Sequence, residues 1–167
     1  MIGASLSTFI LAGVLSTFLF LGRSGANMRN YNDMEAQARK ALELFAEDTR
    51  QASSVSWASS SSLTLTVNSI IITYTYDSTA GTFSRAVTTG TPTTLLTGIT
   101  QFNFLAYTIS GTSISDFSTA AARTIANNTT KQVQISLSAA RTSTTVTSAT
   151  NIVLSARYVL RNKRVTA

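Results

Sequence analysis

The sequence predicts an α+β fold, a long N-terminal α-helix packed on a C-terminal antiparallel β-sheet head, and three observations carry that prediction. The chain opens with an apolar run that holds no charge before Arg23. A three-four spacing of apolar residues follows without a proline, and beyond Ala52 it gives way to two-residue alternation. At 167 residues the chain suffices for one globular unit and an appendage. The expected organisation is an apolar helix over 1–25, its amphipathic continuation over 26–52 and a strand-rich head over 53–167.

Residues 1–22, MIGASLSTFILAGVLSTFLFLG, are long enough to cross a bilayer, since roughly 20 residues at about 1.5 Å each span the hydrocarbon core. A cleaved signal peptide fits poorly, because it has a basic leading end and a shorter apolar stretch. Gly3, Gly13 and Gly22, with Ala4, Ala12 and several Ser and Thr residues, are the small types that let helices approach closely. The run therefore suits a protein bundle as well as lipid. Its expected core residues are Ile2, Leu6, Phe9, Ile10, Gly13, Val14, Leu15, Phe18, Leu19 and Leu21.

From residue 26 the helix is amphipathic. Met34, Ala38, Ala41, Phe45 and Asp48 follow the three-four spacing, with Tyr31, Leu42 and Thr49 alongside. Of these, Met34, Ala38, Ala41, Leu42 and Phe45 are expected to pack on the sheet. Glu35 precedes Arg39 by one helical turn in the favourable orientation. One helix of about 50 residues, on the order of 75 Å, is expected, with a weak point at residues 22–25 where Gly22 and Gly25 lower helix stability.

Residues 58–62 are polar and read as a linker. LTLTV (63–67) and IIITYTY (70–76) flank Asn68-Ser69, the pattern of a hairpin with a two-residue turn. Further strands are expected over 82–87, after a turn begun by Asp77, and over 101–108, 131–139 and 151–161. Residues 90–92 form a loop around the only proline. The stretch 111–130 fits no strand, and 116–126 suits a short helix capped by Ser115 or Asp116. Trp57, Tyr74, Tyr76, Phe102, Phe104 and Tyr158 have strand spacing and are expected in the core.

Composition argues against most chemistry. With neither cysteine nor histidine, the chain offers no thiolate site and lacks the commonest general base and metal ligand. It has no Gly-x-Ser-x-Gly elbow for its many serines, so no enzymatic activity and no cofactor are expected. Asp33, Glu35, Glu43, Glu47 and Asp48 read as a solvated helix face. Net charge is +6, yet the basic residues are scattered apart from Arg157, Arg161, Lys163 and Arg164, so no nucleic-acid partner is expected. Glu43 and Glu47 could instead meet Arg157, Arg161 or Arg164 of a neighbouring copy. Asn127 and Asn128 each begin a short Asn-x-Thr match in the long loop.

ARKALELFAEDTRQA (38–52), ITYTYDSTAGTFSRAV (72–87), TLLTGITQFNFLAY (94–107) and LSARYVLRNK (154–163) occur in the order seen in type IV pilins and the pseudopilins of type II secretion. Most of the chain is thus similar to that family, and in particular to its minor-pilin and pseudopilin J-like group. The resemblance departs at the start. The chain begins MIGAS, without the family's Phe-Thr-Leu-x-Glu opening, and no acidic residue precedes Asp33. The family's extreme N-terminal residues are therefore expected to be missing. Its helix-breaking proline and its cysteines are missing too.

The resemblance implies a pilin-like fold and a structural subunit of an extracellular helical filament, polymerising through its N-terminal helix with identical subunits. It implies a single-pass inner-membrane stage before assembly, with pilus or secretion machinery as a further partner. Two alternatives stand beside it: a minor pseudopilin at the tip of a secretion pseudopilus, and a monomeric membrane-anchored surface domain that binds a ligand.

Overall fold

The computed structural model describes residues 2–88, 90–143 and 146–165, and the side chains of Ile2 and Leu6 lie outside the described set. α1, Ile2–Gln51, is a single helix of 50 residues, about 75 Å long. It runs unbroken through Gly22 and Gly25, so the expected weak point causes no interruption. Near its C-terminal end side chains add to the backbone bonds: Arg50 Nε donates to Ala46 O (3.1 Å), and Asn162 Nδ2 donates to Gln51 O (3.1 Å), a carbonyl without a helical partner.

Two antiparallel sheets replace the single small sheet expected. The first is a five-stranded meander of β1 (Ser54–Ser59), β2 (Ser62–Val67), β3 (Ile70–Asp77), β4 (Thr82–Val87) and β5 (Thr93–Thr97). The second has four strands in the order β7-β6-β8-β9, from β6 (Ile99–Tyr107), β7 (Ser113–Ile114), β8 (Gln132–Ser143) and β9 (Val146–Val159). Gly98 joins them. Its φ of +77° is left-handed, and a Cβ there would lie 2.6 Å from Ala140 O, so only glycine allows the chain to turn from β5 into β6.

Asn68 and Ser69 both take positive φ (51° and 67°), the geometry that a two-residue hairpin turn demands. Asp77 Oδ1 accepts from the backbone N–H groups of Thr79 and Ala80, which sets the β3–β4 turn as expected. Elsewhere the expected elements move. The linker over 58–62 is the end of β1, a tight turn and the start of β2. Ser54–Ser59, Thr93–Thr97 and Ser113–Ile114 form strands where the residues predict none, and the last corrects the expectation that 111–130 holds no strand.

The short helix also starts later than expected. α2 is Ala120–Thr129, and Thr119 caps it by accepting from Ala122 N. Asp116 is unavailable as a cap because its Oδ1 accepts from Ser118 N and Ser118 Oγ. α2 lies on β1, where Asn127 Oδ1 accepts from Trp57 N at 2.7 Å. The two Asn-x-Thr matches therefore begin within a helix rather than in a loop.

The second half of α1 packs mainly on β9 and β5. Met34, Ala38, Ala41 and Phe45 are buried and Leu42 is half-buried against them, as expected, while Tyr31 stays outside the core. Phe45 sits at the centre of an aromatic cluster, 5.0 Å from Tyr74, 5.6 Å from Phe104 and 5.6 Å from Tyr158 between ring centroids. The two alanines, having no side chain beyond Cβ, let the helix sit close against the strands.

Candidate functional site: the surfaces of the long helix

Among the described residues, the first half of α1 holds no buried side chain. Phe9 is 81% exposed, Phe18 70% and Phe20 71%, and Ile10, Gly13, Val14, Leu15, Leu19 and Leu21 are exposed as well. A Cβ added at Gly3, Gly13, Gly22 or Gly25 would meet no atom within 4 Å. No contact inside the chain therefore accounts for these glycines.

Two hydroxyls of this half are turned onto its own backbone. Ser7 Oγ donates to Gly3 O (2.9 Å) and Thr17 Oγ1 to Gly13 O (3.0 Å). Back-bonding of this kind satisfies a hydroxyl without water. The helix is long and apolar enough to cross a membrane by length and composition.

The second half of α1 has two unlike faces. Its inner face ends in a charged lock: Asp48 Oδ2 accepts from Tyr74 Oη (2.6 Å) and from Arg85 Nε (2.8 Å), and Asp48 Oδ1 from Arg85 Nη2 (3.2 Å). The fork geometry of arginine suits this two-point grip. Asp48 is 7% exposed, which corrects its assignment to a solvated face. Burial, then the bond to Asp48, raises the pKa of the Tyr74 phenol above its ordinary value. The bond to Asp48 raises that of Arg85.

The outer face carries Arg39, Lys40, Glu43, Glu47 and Arg50, all exposed. Arg39 pairs with Glu35 at 3.0 Å, and Gln51 Nε2 donates to Glu47 Oε1 at 3.3 Å. Among the described residues the ion pairs are Arg39–Glu35 and Arg85–Asp48, and Glu43 and Glu47 share their face with Arg39, Lys40 and Arg50.

The basic cluster read from the sequence divides in space. Arg157 lies on the exposed face of the second sheet, its guanidinium 3.6 Å from the centre of the Tyr107 ring and its Nη2 donating to Gln134 Oε1 (3.2 Å). Arg161 and Arg164 are exposed on the tail beyond β9. Lys163 turns inward, donating to the carbonyls of Asn127, Asn128 and Thr130 and so finishing the C-terminal end of α2. Burial and the neighbouring Lys131 charge push its pKa down to about 8.

Sequence reasoning missed the Asp48 lock and the Lys163 cap. Asp48 does stand one turn beyond Phe45 on the inward stripe, which is the one local sign that its carboxylate is buried. No protein-family model matches the chain, and no curated protein sequence matches it.

Proposed function

We propose that the protein is a structural subunit of an extracellular helical filament of the type IV pilin class, polymerising through the first half of α1. The observation that carries this reading is the exposed apolar run of α1 before Arg23, in which Ser7 and Thr17 donate their hydroxyls to the helix backbone. Apolar surface costs about 25 cal/mol per Å² in water, so a segment of this size needs a cover. Among the described residues the buried part of α1 begins only at Met34.

Lipid covers such a segment before assembly and neighbouring helices cover it afterwards. The two environments are equally apolar, so transfer between them exposes little to water, and small residues at Gly3, Gly13 and Gly22 admit close helix contacts. The order of the four sequence segments supports the same class. A pseudopilin at the tip of a secretion pseudopilus uses the same helix, and copy number in the assembled fibre separates the two.

The test is removal of detergent from the purified full-length chain, followed by sedimentation and negative-stain imaging. Fibres one subunit-bundle wide are expected. A monodisperse monomer that persists when detergent is exchanged for lipid nanodiscs, with no fibres under any condition, overturns the filament reading in favour of a monomeric membrane-anchored domain.

A further inference from the structure

A cleft of about 430 Å³ opens between α1 and the edge of the first sheet. Small-ligand sites fall in the range of about 300–1,000 Å³. Gln37, Lys40 and Leu44 stand three and four residues apart, so they form one stripe along α1 and make one wall. Arg85 of β4, with residues 93–95 and 97 of β5, makes the other. The meander ends at β5, and the chain leaves it at Gly98 for the second sheet, so this wall is a sheet edge.

Among the described residues no carboxylate lines the cleft. Glu35 and Glu43 border Lys40 on its other side, where Glu35 is paired with Arg39, and Lys40 itself is in no ion pair among the described residues. Asp48 is committed to Tyr74 Oη and to Nε and Nη2 of Arg85, which leaves Arg85 Nη1 without a partner among the described residues.

Arg141 reaches the same walls. Its Nη2 donates to Gln37 Oε1 (3.2 Å) and to Thr97 Oγ1 (3.0 Å), and both partners are neutral. The chain has no acidic residue after Asp116, so β8 brings this half-buried cation without a counter-charge. The two contacts also occupy the acceptor oxygens of Gln37 and Thr97. What remains for a ligand is a set of donors: the Lys40 ammonium, Arg85 Nη1, Gln37 Nε2 and the Thr97 O–H. Leu44 and Leu95 add apolar surface beside them.

We propose that this cleft binds a carboxylated monosaccharide of the hexuronate class. The carboxylate meets Lys40 and Arg85 Nη1 in the field of Arg141, and a cleft lined by one sign of charge concentrates such an anion. Ring and hydroxyl oxygens accept from Gln37 Nε2 and Thr97 O–H, while the C–H face of the sugar lies on Leu44 and Leu95. A phosphate dianion suits the site less well, because the two-point fork of Arg85 that grips phosphate is already taken by Asp48. The site uses none of the apolar run before Arg23, so it stands independently of the filament reading.

Titration calorimetry of the full-length chain, in a non-ionic detergent without sugar head groups, tests this with D-glucuronate, D-glucose, acetate and inorganic phosphate as probes. Glucuronate is expected to bind one to one, at least about tenfold more tightly than each of the other three, and more weakly in added salt. Lys40 is exposed and unpaired, so Lys40→Met is expected to weaken glucuronate binding about tenfold while the head melts as in the wild type. Arg39→Met removes a neighbouring cation that does not line the cleft, and is expected to bind glucuronate like the wild type.

Equal weakening by the two substitutions would reduce the binding to general attraction by surface charge and overturn the site. Phosphate or acetate binding as tightly as glucuronate overturns the sugar class. No saturable binding of glucuronate up to about 50 mM, in calorimetry and ligand-observed NMR alike, overturns the proposal as a whole and leaves the filament reading untouched.

Discussion

Phe18 and Phe45 belong to one continuous helix, about 40 Å apart, and their surroundings are opposite. Phe45 is fully buried at the centre of an aromatic cluster, whereas Phe18 is 70% exposed. The backbone hydrogen bonds are the same in both places, so helix propensity explains neither. What differs is cover: β9 and β5 bury the second half, and no described residue of the first half is buried. One continuous helix thus has one half that stabilises the head and one half that the head leaves exposed.

Substitution of the two phenylalanines gives the largest contrast. Phe45→Ala is expected to lower the stability of the head by about 3–5 kcal/mol, read from urea unfolding of the full chain in detergent. Phe18→Ala, measured the same way, is expected to stay within about 0.5 kcal/mol of wild type. Equal losses at the two sites would mean that the halves are not energetically separate.

The Asp48 lock gives the next effect. Asp48→Asn keeps the volume but leaves Arg85 without its counter-charge on a mostly buried site, and about 2–3 kcal/mol of stability is expected to go. A double-mutant cycle with Arg85→Met measures the coupling, and additive losses would show that the pair contributes nothing jointly.

Much of this division was legible in the residues. The absence of charge before Arg23 and the stripe from Met34 to Phe45 separate the two halves directly, because burial imposes a period on a sequence and lipid-like cover does not. The Asn68-Ser69 hairpin was legible because its turn needs positive φ, which few residues accept. β5 was not, since TTLLT follows Pro92 and does not alternate cleanly. Asp48 was misread because its partners, Tyr74 and Arg85, lie 26 and 37 residues away, beyond the reach of local pattern. The start of α2 turned on a competition between Asp116 and Thr119 that only the Ser118 hydrogen bonds decide.

Alkaline titration sharpens the picture of the head alone. Lys163 has its pKa lowered from 10.5 to about 8, so between those values the unfolded chain binds more protons than the folded one. Stability from this group is therefore highest above 10.5 and is lost as pH falls through about 8. Tyr74 works in the other direction, because its raised pKa removes stability once the unfolded phenol ionises above about 10. Head stability is expected to rise between pH 7.5 and 9.5, and Lys163→Met, less stable throughout, is expected to lose that rise. A rise that survives the substitution would assign it to another group.

The smallest effect compares two threonines. Thr17, in the exposed half, donates its hydroxyl to Gly13 O, while Thr49, in the packed half, is fully buried with an Oγ1 that has no hydrogen-bond partner. An orphaned buried hydroxyl costs about 1–3 kcal/mol, part of which its methyl group recovers by packing. Thr49→Val, of nearly the same shape, is expected to stabilise the head by about 1 kcal/mol in urea unfolding. Thr17→Val is expected to leave head unfolding unchanged, because that hydroxyl is satisfied and touches nothing the head contains. A loss of stability at Thr49→Val would mean that its hydroxyl has an acceptor in solution, and the packed half of α1 would then be wetter than its burial implies.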